Sequence, residues 1–453
     1  MQFIKFSLVF YIFVFSSFVN VHGQEKEEFL LDDESSKELN LLVDQILQKA
    51  SRPSSSPSFK KLKNLVSGAF GSTPLFLQTL ENLKLAEAKK DEAFSGFLPQ
   101  VQSSLGGGLK SGSNSNGSSK NIKFSVSQLV YDFDVTGSRY SSTKSDAMAN
   151  EAKVSAKRTE LLLRLIEAVH EVYRADMQLK LSNGYVDARK NFLESVKMRE
   201  EVGGSSNADV LRAEAKVSES LDQIPFAVRK LENSKSSFTE LFGNISLPSE
   251  MYQLPDVAQL SLVINEENIS RLFPIMEIEN SLRSAEMSHR AEKRERFGSF
   301  RLEAGYQNSD TNLLSPQEQS SVMLSYNLNI FTGYKKTSKI AQSQSRVNSL
   351  RFELERLKLE IRREMEESIS EYNAQAAAVL SRSELVRGAK VTNKINKELF
   401  ELNRTSITDL FRAQEEYVGA AKNLLDALID KNVSYYSMLA KFNQLLNVFE
   451  LGI

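Results

Sequence analysis

Two pairs of charged residues recur in this chain at one spacing. Asp209 and Arg212 form the first, Asp409 and Arg412 the second, and both follow polar turns that open helical patterns. Three residues apart on a helix, an acid and a base share a face, so each pair can close on itself or reach to another chain. Near a first turn, a carboxylate also meets free N–H groups and the positive end of the helix dipole. Capping and interchain pairing both stay open at this point. Little else could carry chemistry. His170 and His289 sit singly in helical patterns, and His22 lies in the N-terminal apolar stretch. The chain has no Cys, which removes thiolate metal sites, thiol nucleophiles and disulfides. Gly106–Gly108 falls in a strand pattern and heads no helix, so it is no phosphate cradle. The residues give no catalytic set, no metal set and no cofactor site. A net charge of −1 offers no basic field for nucleic acid.

The elements that position the charged pairs are long. Ile340 to Leu402 is helical in pattern, with no Pro and one Gly, Gly388. Its apolar residues (Val347, Leu350, Leu354, Leu357, Ile361, Met365) step by threes and fours, keeping one stripe toward a partner helix. At 1.5 Å per residue such a helix is roughly 90–100 Å long, which no compact domain accommodates. The chain is built on a shaft.

In order, residues 1–23 read as a cleaved signal peptide: Lys5, an apolar run from Phe6 to Val19, then small residues before Gln24. Residues 24–73 are an N-terminal extension with a Pro- and Ser-rich linker. A first repeat spans 74–243: a helix, a hairpin over 97–134, a long helix over 138–200 and a helix over 206–243, which Pro225 should kink. Residues 244–271 form a connector. A second repeat spans 272–453, with a hairpin over 298–332, a long helix over 334–402 and a helix over 406–449. The hairpins alternate apolar and polar residues with period two. Lys110–Lys120 and Asn308–Gln319 read as polar loops between their strands, and the charged run Arg290–Arg296 as a solvated helix face. Pro74/Pro274, Phe97/Phe297, Asp209/Asp409 and Arg212/Arg412 keep one offset across helix, strand and turn, which marks a duplication. Gly137 and Gly333 are the expected strand-to-helix junctions.

Strands of about 10 residues, apolar on one face and polar on the other, suit a tilted crossing of a bilayer. Four strands close no barrel, and an open edge in lipid is prohibitive. Two or three copies must therefore share one, and three give a twelve-stranded barrel with a polar lumen wide enough for water. The competing expectation is a periplasmic coiled-coil scaffold without channel activity.

The duplicated halves, Phe97-Leu-Pro99 before the first strand, Gln128–Phe133 with Gly137 after the second, and the Asp-x-x-x-Ala tip helices resemble the TolC-like outer-membrane efflux proteins over about residues 70–450. The resemblance implies a mainly α fold with membrane β. Long coiled-coil staves form a periplasmic α-barrel, and a homotrimer shares the β-barrel in the outer membrane of a Gram-negative cell. It implies a passive exit duct for efflux or type I secretion, with no enzyme activity. A periplasmic adaptor and an inner-membrane pump or ABC exporter would be its partners. It also places a gate at the helix tips: Asp409, Arg412 and Thr405 in the second half, Asp209 and Arg212 in the first. Some members of the family carry a second acid where this chain has Arg412, so a double carboxylate ring is not implied here.

Overall fold

The computed structural model describes residues 34–51, 56–71, 73–112, 115–247, 250, 252, 254, 263–311 and 314–451. The expected signal peptide and residues 255–262 of the 244–271 connector lie outside the described residues; the described end of the connector holds a short helix, α7 (Glu266–Ser270).

Two helices of equal length carry the fold: α4 (Val135–Glu201) and α9 (Lys335–Glu401), each 67 residues. Shorter helices lie end to end beside them. α3 (Pro74–Ser95) packs on α4 near the hairpin, and α5 (Asn207–Asp222) and α6 (Ile224–Phe242) pack on its other part. α8 (Phe273–Arg294) and α10 (Ile407–Lys441) pack in the same way on α9. α4 also packs along α8, which joins the two repeats. The helix expected over 206–243 is two helices rather than one kinked helix. Pro225 has no N–H for the ladder, so α6 restarts at Ile224 with Pro in its first turn.

The hairpins are β1 (Gln100–Gly112) with β2 (Ser115–Tyr131), and β3 (Ser299–Thr311) with β4 (Leu314–Asn327). They form one antiparallel sheet in the order β1-β2-β3-β4. The two segments expected as polar loops are mostly strand. Pairing reaches Gly112↔Ser115 and Thr311↔Leu314, because a backbone ladder needs no apolar side chains once it leaves lipid. The second hairpin is also shorter than expected at its base: pairing stops at Asn327, although the alternation continues through Ile330.

Register puts nearly all the large apolar strand residues on a single face. Val101 lies opposite Val126, Val126 opposite Ala304, and Ala304 opposite Val322. Lys123, Ser125, Glu303, Gly305 and Ser321 share the other face with two large apolar residues, Leu129 opposite Arg301 and Met323 opposite Glu303. The apolar face has no cover: Leu105 is 80% and Val322 77% exposed. Soluble proteins do not leave such a surface in water.

Each strand-to-helix turn uses two successive left-handed residues, Phe133–Asp134 in the first half and Gly333–Tyr334 in the second. Phe133 and Gly333, 200 residues apart, are thus the equivalent junctions, and Gly137 is not the counterpart of Gly333. Gly137 sits inside α4, where the Asp134 carboxylate folds so close that a Cβ would meet its Oδ1 at 2.2 Å. Asp132 caps α4 by accepting from the N–H groups of Val135 and Thr136 and from the Thr136 hydroxyl.

The N-terminal extension is a helical belt. Along α1 (Glu34–Ser51), Leu39, Val43 and Ile46 are buried with Tyr173, Leu181, Val386 and Tyr417, so it touches both repeats. The Tyr417 hydroxyl donates to Asn40 Oδ1 at 2.8 Å, and Lys390 pairs with Asp44 at 2.6 Å. In α2 (Ser56–Phe70), Leu62 and Val66 join Leu162, Ile166, Phe238 and Phe449. His170 lies in that region, 2% exposed, and burial pushes its pKa down, so it is neutral there.

Gly298, which leads into β3, has φ +78°, and a Cβ there would lie 2.4 Å from the Asn327 carbonyl oxygen. Gly298→Ala should therefore cost about 1–3 kcal/mol and visibly lower the thermal unfolding midpoint of detergent-extracted protein. Gly333→Ala meets only open space at φ +58° and should cost about 1–2 kcal/mol from backbone strain alone.

Candidate functional site at the helix tips

Each long helix ends in the same tight turn. After α4, the Gly203 N–H reaches Glu200 O and the Gly204 N–H reaches Arg199 O; after α9, Asn403 reaches Phe400 O and Arg404 reaches Leu399 O. Gly203 and Asn403 hold the left-handed position. Glycine takes it freely, and Asn is among the few other residues that tolerate it.

The next helices start with serine caps. Ser206 Oγ accepts from the Asp209 N–H at 3.2 Å, and the Asp209 carboxylate accepts from the Ser206 N–H and hydroxyl. Ser406 and Asp409 repeat the contact, with the hydroxyl donating to Asp409 Oδ2 at 2.6 Å. Arg212 then pairs with Asp209 at 3.2 Å and Arg412 with Asp409 at 3.7 Å. The structure thus brings each predicted acid together with its own base and its own cap. Thr405 lies half-buried in the turn before Ser406. The Ser206 hydroxyl, helped by the Ser206 N–H and Arg212, holds the Asp209 carboxyl below its usual range. These exposed pairs contribute well under 1 kcal/mol each within one chain.

Sequence reading missed what joins the two tips. Phe192 of α4 meets Phe400 of α9 and Phe411 of α10, both at 5.4 Å between ring centres. Val196, Ala213, Ile407 and Leu410 complete that cluster. The Arg199 guanidinium lies over the Phe400 ring and donates to Asn403 Oδ1 and, at 3.3 Å, to Glu401 O. One arginine therefore ties the first tip to the second. Deeper, Arg189 is 1% exposed and stacks on Phe411 at 4.4 Å. It donates to the Tyr185 hydroxyl, to Phe411 O and to Glu415, and Glu415 also accepts from Lys216 of α5. The Ser-x-x-Asp spacing was a readable sign of the caps. Nothing in the sequence marks Arg199 or Arg189 among 57 basic residues.

Among the described residues no cluster of His, Asp or Glu could hold a metal ion, and no helix is long and apolar enough to cross a membrane. An uncovered apolar sheet face, a polar face behind it and paired helical shafts define a membrane channel subunit that crosses lipid by strands. The outer membrane efflux protein family model matches residues 65–244. TolC of Vibrio cholerae is 23% identical over 380 residues, covering 79% of this chain and 86% of the relative. The efflux protein BepC of Brucella suis is 19% identical over 324 residues, covering 70% and 71%. The CmeC outer membrane channel of Campylobacter jejuni superposes with a TM-score of 0.77 at 15% identity, covering 85% of this chain and 86% of that one. Over residues 65–244 the chain is similar to the outer membrane efflux protein family, and its fold is that of the TolC-like channels. These relatives are outer-membrane efflux proteins, and the solved structure of like fold is an outer membrane channel.

Two outcomes test the tip chemistry. Because its folded pKa is depressed, Asp209 adds stability that is present above its unfolded value, near 3.9, and is lost as pH falls through the folded value. Amide exchange in the first turn of α5 should accelerate over that interval, and Asp209→Asn should already exchange fast at neutral pH. Arg199→Ala should weaken the joint between tips by about 1–2 kcal/mol, a five- to thirtyfold shift in its closure, read as faster exchange at Gly204–Ala208 and Arg404–Asp409.

Proposed function

We propose that this protein is a passive exit duct, a homotrimer whose shared barrel leads outward through the outer membrane from a helical periplasmic conduit. The observation that carries the reading is the fusion of a four-stranded sheet, apolar on one face and polar on the other, to 67-residue helices. A soluble scaffold would fold that apolar face inward. Among the described residues none forms a site for an energy-yielding reaction; in this reading an energised inner-membrane pump or ABC exporter supplies the work, and a periplasmic adaptor couples the two. Drug efflux and type I secretion both use such a duct, and cargo is chosen by the pump.

The gate sits at the helix tips. Asp209, Arg212, Thr405, Asp409 and Arg412 line the turns that would converge on a threefold axis. Alternating acids and bases from three copies form a ring of mixed sign. Arg199 holds the second tip against the first, so the ring narrows only while that tie is made. Opening moves α9 and α10 away from α4 and α5, against the Phe192–Phe400–Phe411 cluster and the Arg189–Glu415 pair.

In planar bilayers the purified protein should conduct in small, mostly closed steps. Arg199→Ala combined with Phe192→Ala should raise the open fraction about tenfold or more without changing the fully open conductance. A wild-type protein that inserts and never conducts, with the double variant equally silent, would sink the duct.

A further inference from the structure

One helix that precedes both repeats in sequence bridges them in space. α1 carries a single apolar stripe, Leu39, Val43 and Ile46, and none of the three is more than 5% exposed. The stripe seats against three helices together: Tyr173 and Leu181 of α4, Val379 and Val386 of α9, Val418 and Leu425 of α10. Each of those helices also receives one polar tie. Lys49 Nζ donates to the Tyr173 hydroxyl at 2.7 Å, Lys390 of α9 pairs with Asp44 at 2.6 Å, and the Tyr417 hydroxyl of α10 donates to Asn40 Oδ1 at 2.8 Å. Gly184 shows that the seat on α4 is shaped for this helix. A glycine inside a helix weakens it, yet a Cβ here would already touch Leu39 Cβ at 3.5 Å, so any longer side chain would push α1 away. On α9 the counterparts of Tyr173, Leu181 and Gly184 are Asn373, Ser381 and Glu384, all exposed. The matching face of the second repeat is polar.

We propose that α1 is a strap that holds the duct shut, gripping α4 on one side and the α9–α10 pair on the other. The inference rests on the duct reading and deepens it by naming what resists opening away from the tips themselves. Opening separates α9 and α10 from α4 and α5, and α1 lies across that parting line. A helix so placed keeps its hold on one side only once the parts separate. The strap also adjoins the joint at the tips. Tyr185 belongs to the α1 cluster, and its hydroxyl accepts from Arg189, which also donates to Phe411 O and Glu415. Tyr417, which grips Asn40, stands two residues from Glu415 on α10. Partly exposed polar ties are individually weak, which suits a contact that must break and re-form. α2, packed with Leu162, Phe238 and Phe449, keeps the extension attached when α1 lets go, so the strap closes again as an intramolecular event.

The chain has no Cys, so introduced thiols react alone. In the R199A/F192A background, D44C/K390C bridged by a short bis-methanethiosulfonate should lower the open fraction in planar bilayers about fivefold or more, and reductant should restore it. In the otherwise natural chain, N40A/D44A should raise the open fraction about threefold or more with the fully open conductance unchanged. Gly184→Leu, which removes no polar tie, should do the same. Leu41→Ala, on the exposed face of α1, should change nothing. Bridging that leaves the open fraction unchanged, or N40A/D44A channels as closed as the natural protein, overturns the strap while the duct stands. If R199A/F192A and N40A/D44A both insert and never conduct, the duct reading fails as well.

Discussion

Backbone hydrogen bonding in lipid is the constraint from which the rest of this molecule follows. An unpaired N–H or C=O in hydrocarbon costs several kcal/mol, and an open strand edge exposes a row of them. Four strands in the order β1-β2-β3-β4 leave two such edges. The chain therefore cannot complete its membrane part alone. The uncovered face bearing Leu105, Val322 and Leu324 is the surface that suits lipid, while the open edges are what other strands must pair.

Duplication turns that requirement into a geometry. Each repeat presents the same hairpin and the same paired shaft, so in the proposed trimer the seam between repeats has a counterpart between chains. The 200-residue correspondence extends to the left-handed turn residues, Phe133 with Gly333 and Gly203 with Asn403. Yet the copies have diverged where their neighbours differ. Arg199 has Leu399 as its counterpart and Arg189 has Ala389, so the ties between tips run one way, from the first repeat to the second. In the proposed gate, that asymmetry is what lets one helix pair move against the other.

Much of the fold was legible because it obeys strong periodicities. Long stripes of period near 3.5 located α4 and α9, and period two located the membrane parts of the strands. Sequence failed where backbone pairing outlasts side-chain pattern, as in the glycine- and serine-rich ends of β1 and β2. It also failed where Pro225 restarts a helix rather than kinking one. At the tips, the repeated Asp and Arg stood out as pairs, and the structure shows them closed on their own caps. Arg199 and Arg189 stayed hidden because their meaning lies in partners about two hundred residues away, which no local spacing encodes. The α1 belt was hidden for the same reason. Its Leu39, Val43 and Ile46 look like any short amphipathic helix until Tyr417 and Val386 are set against them.

The central claim is that the chain closes its barrel only with copies of itself. Native mass spectrometry of the protein extracted from outer membranes in mild detergent measures this most directly. A single dominant species of three chains, collapsing to one on boiling in dodecyl sulfate, is the predicted result. A monomer that keeps its strand content in the same detergent, with no larger species, would contradict it.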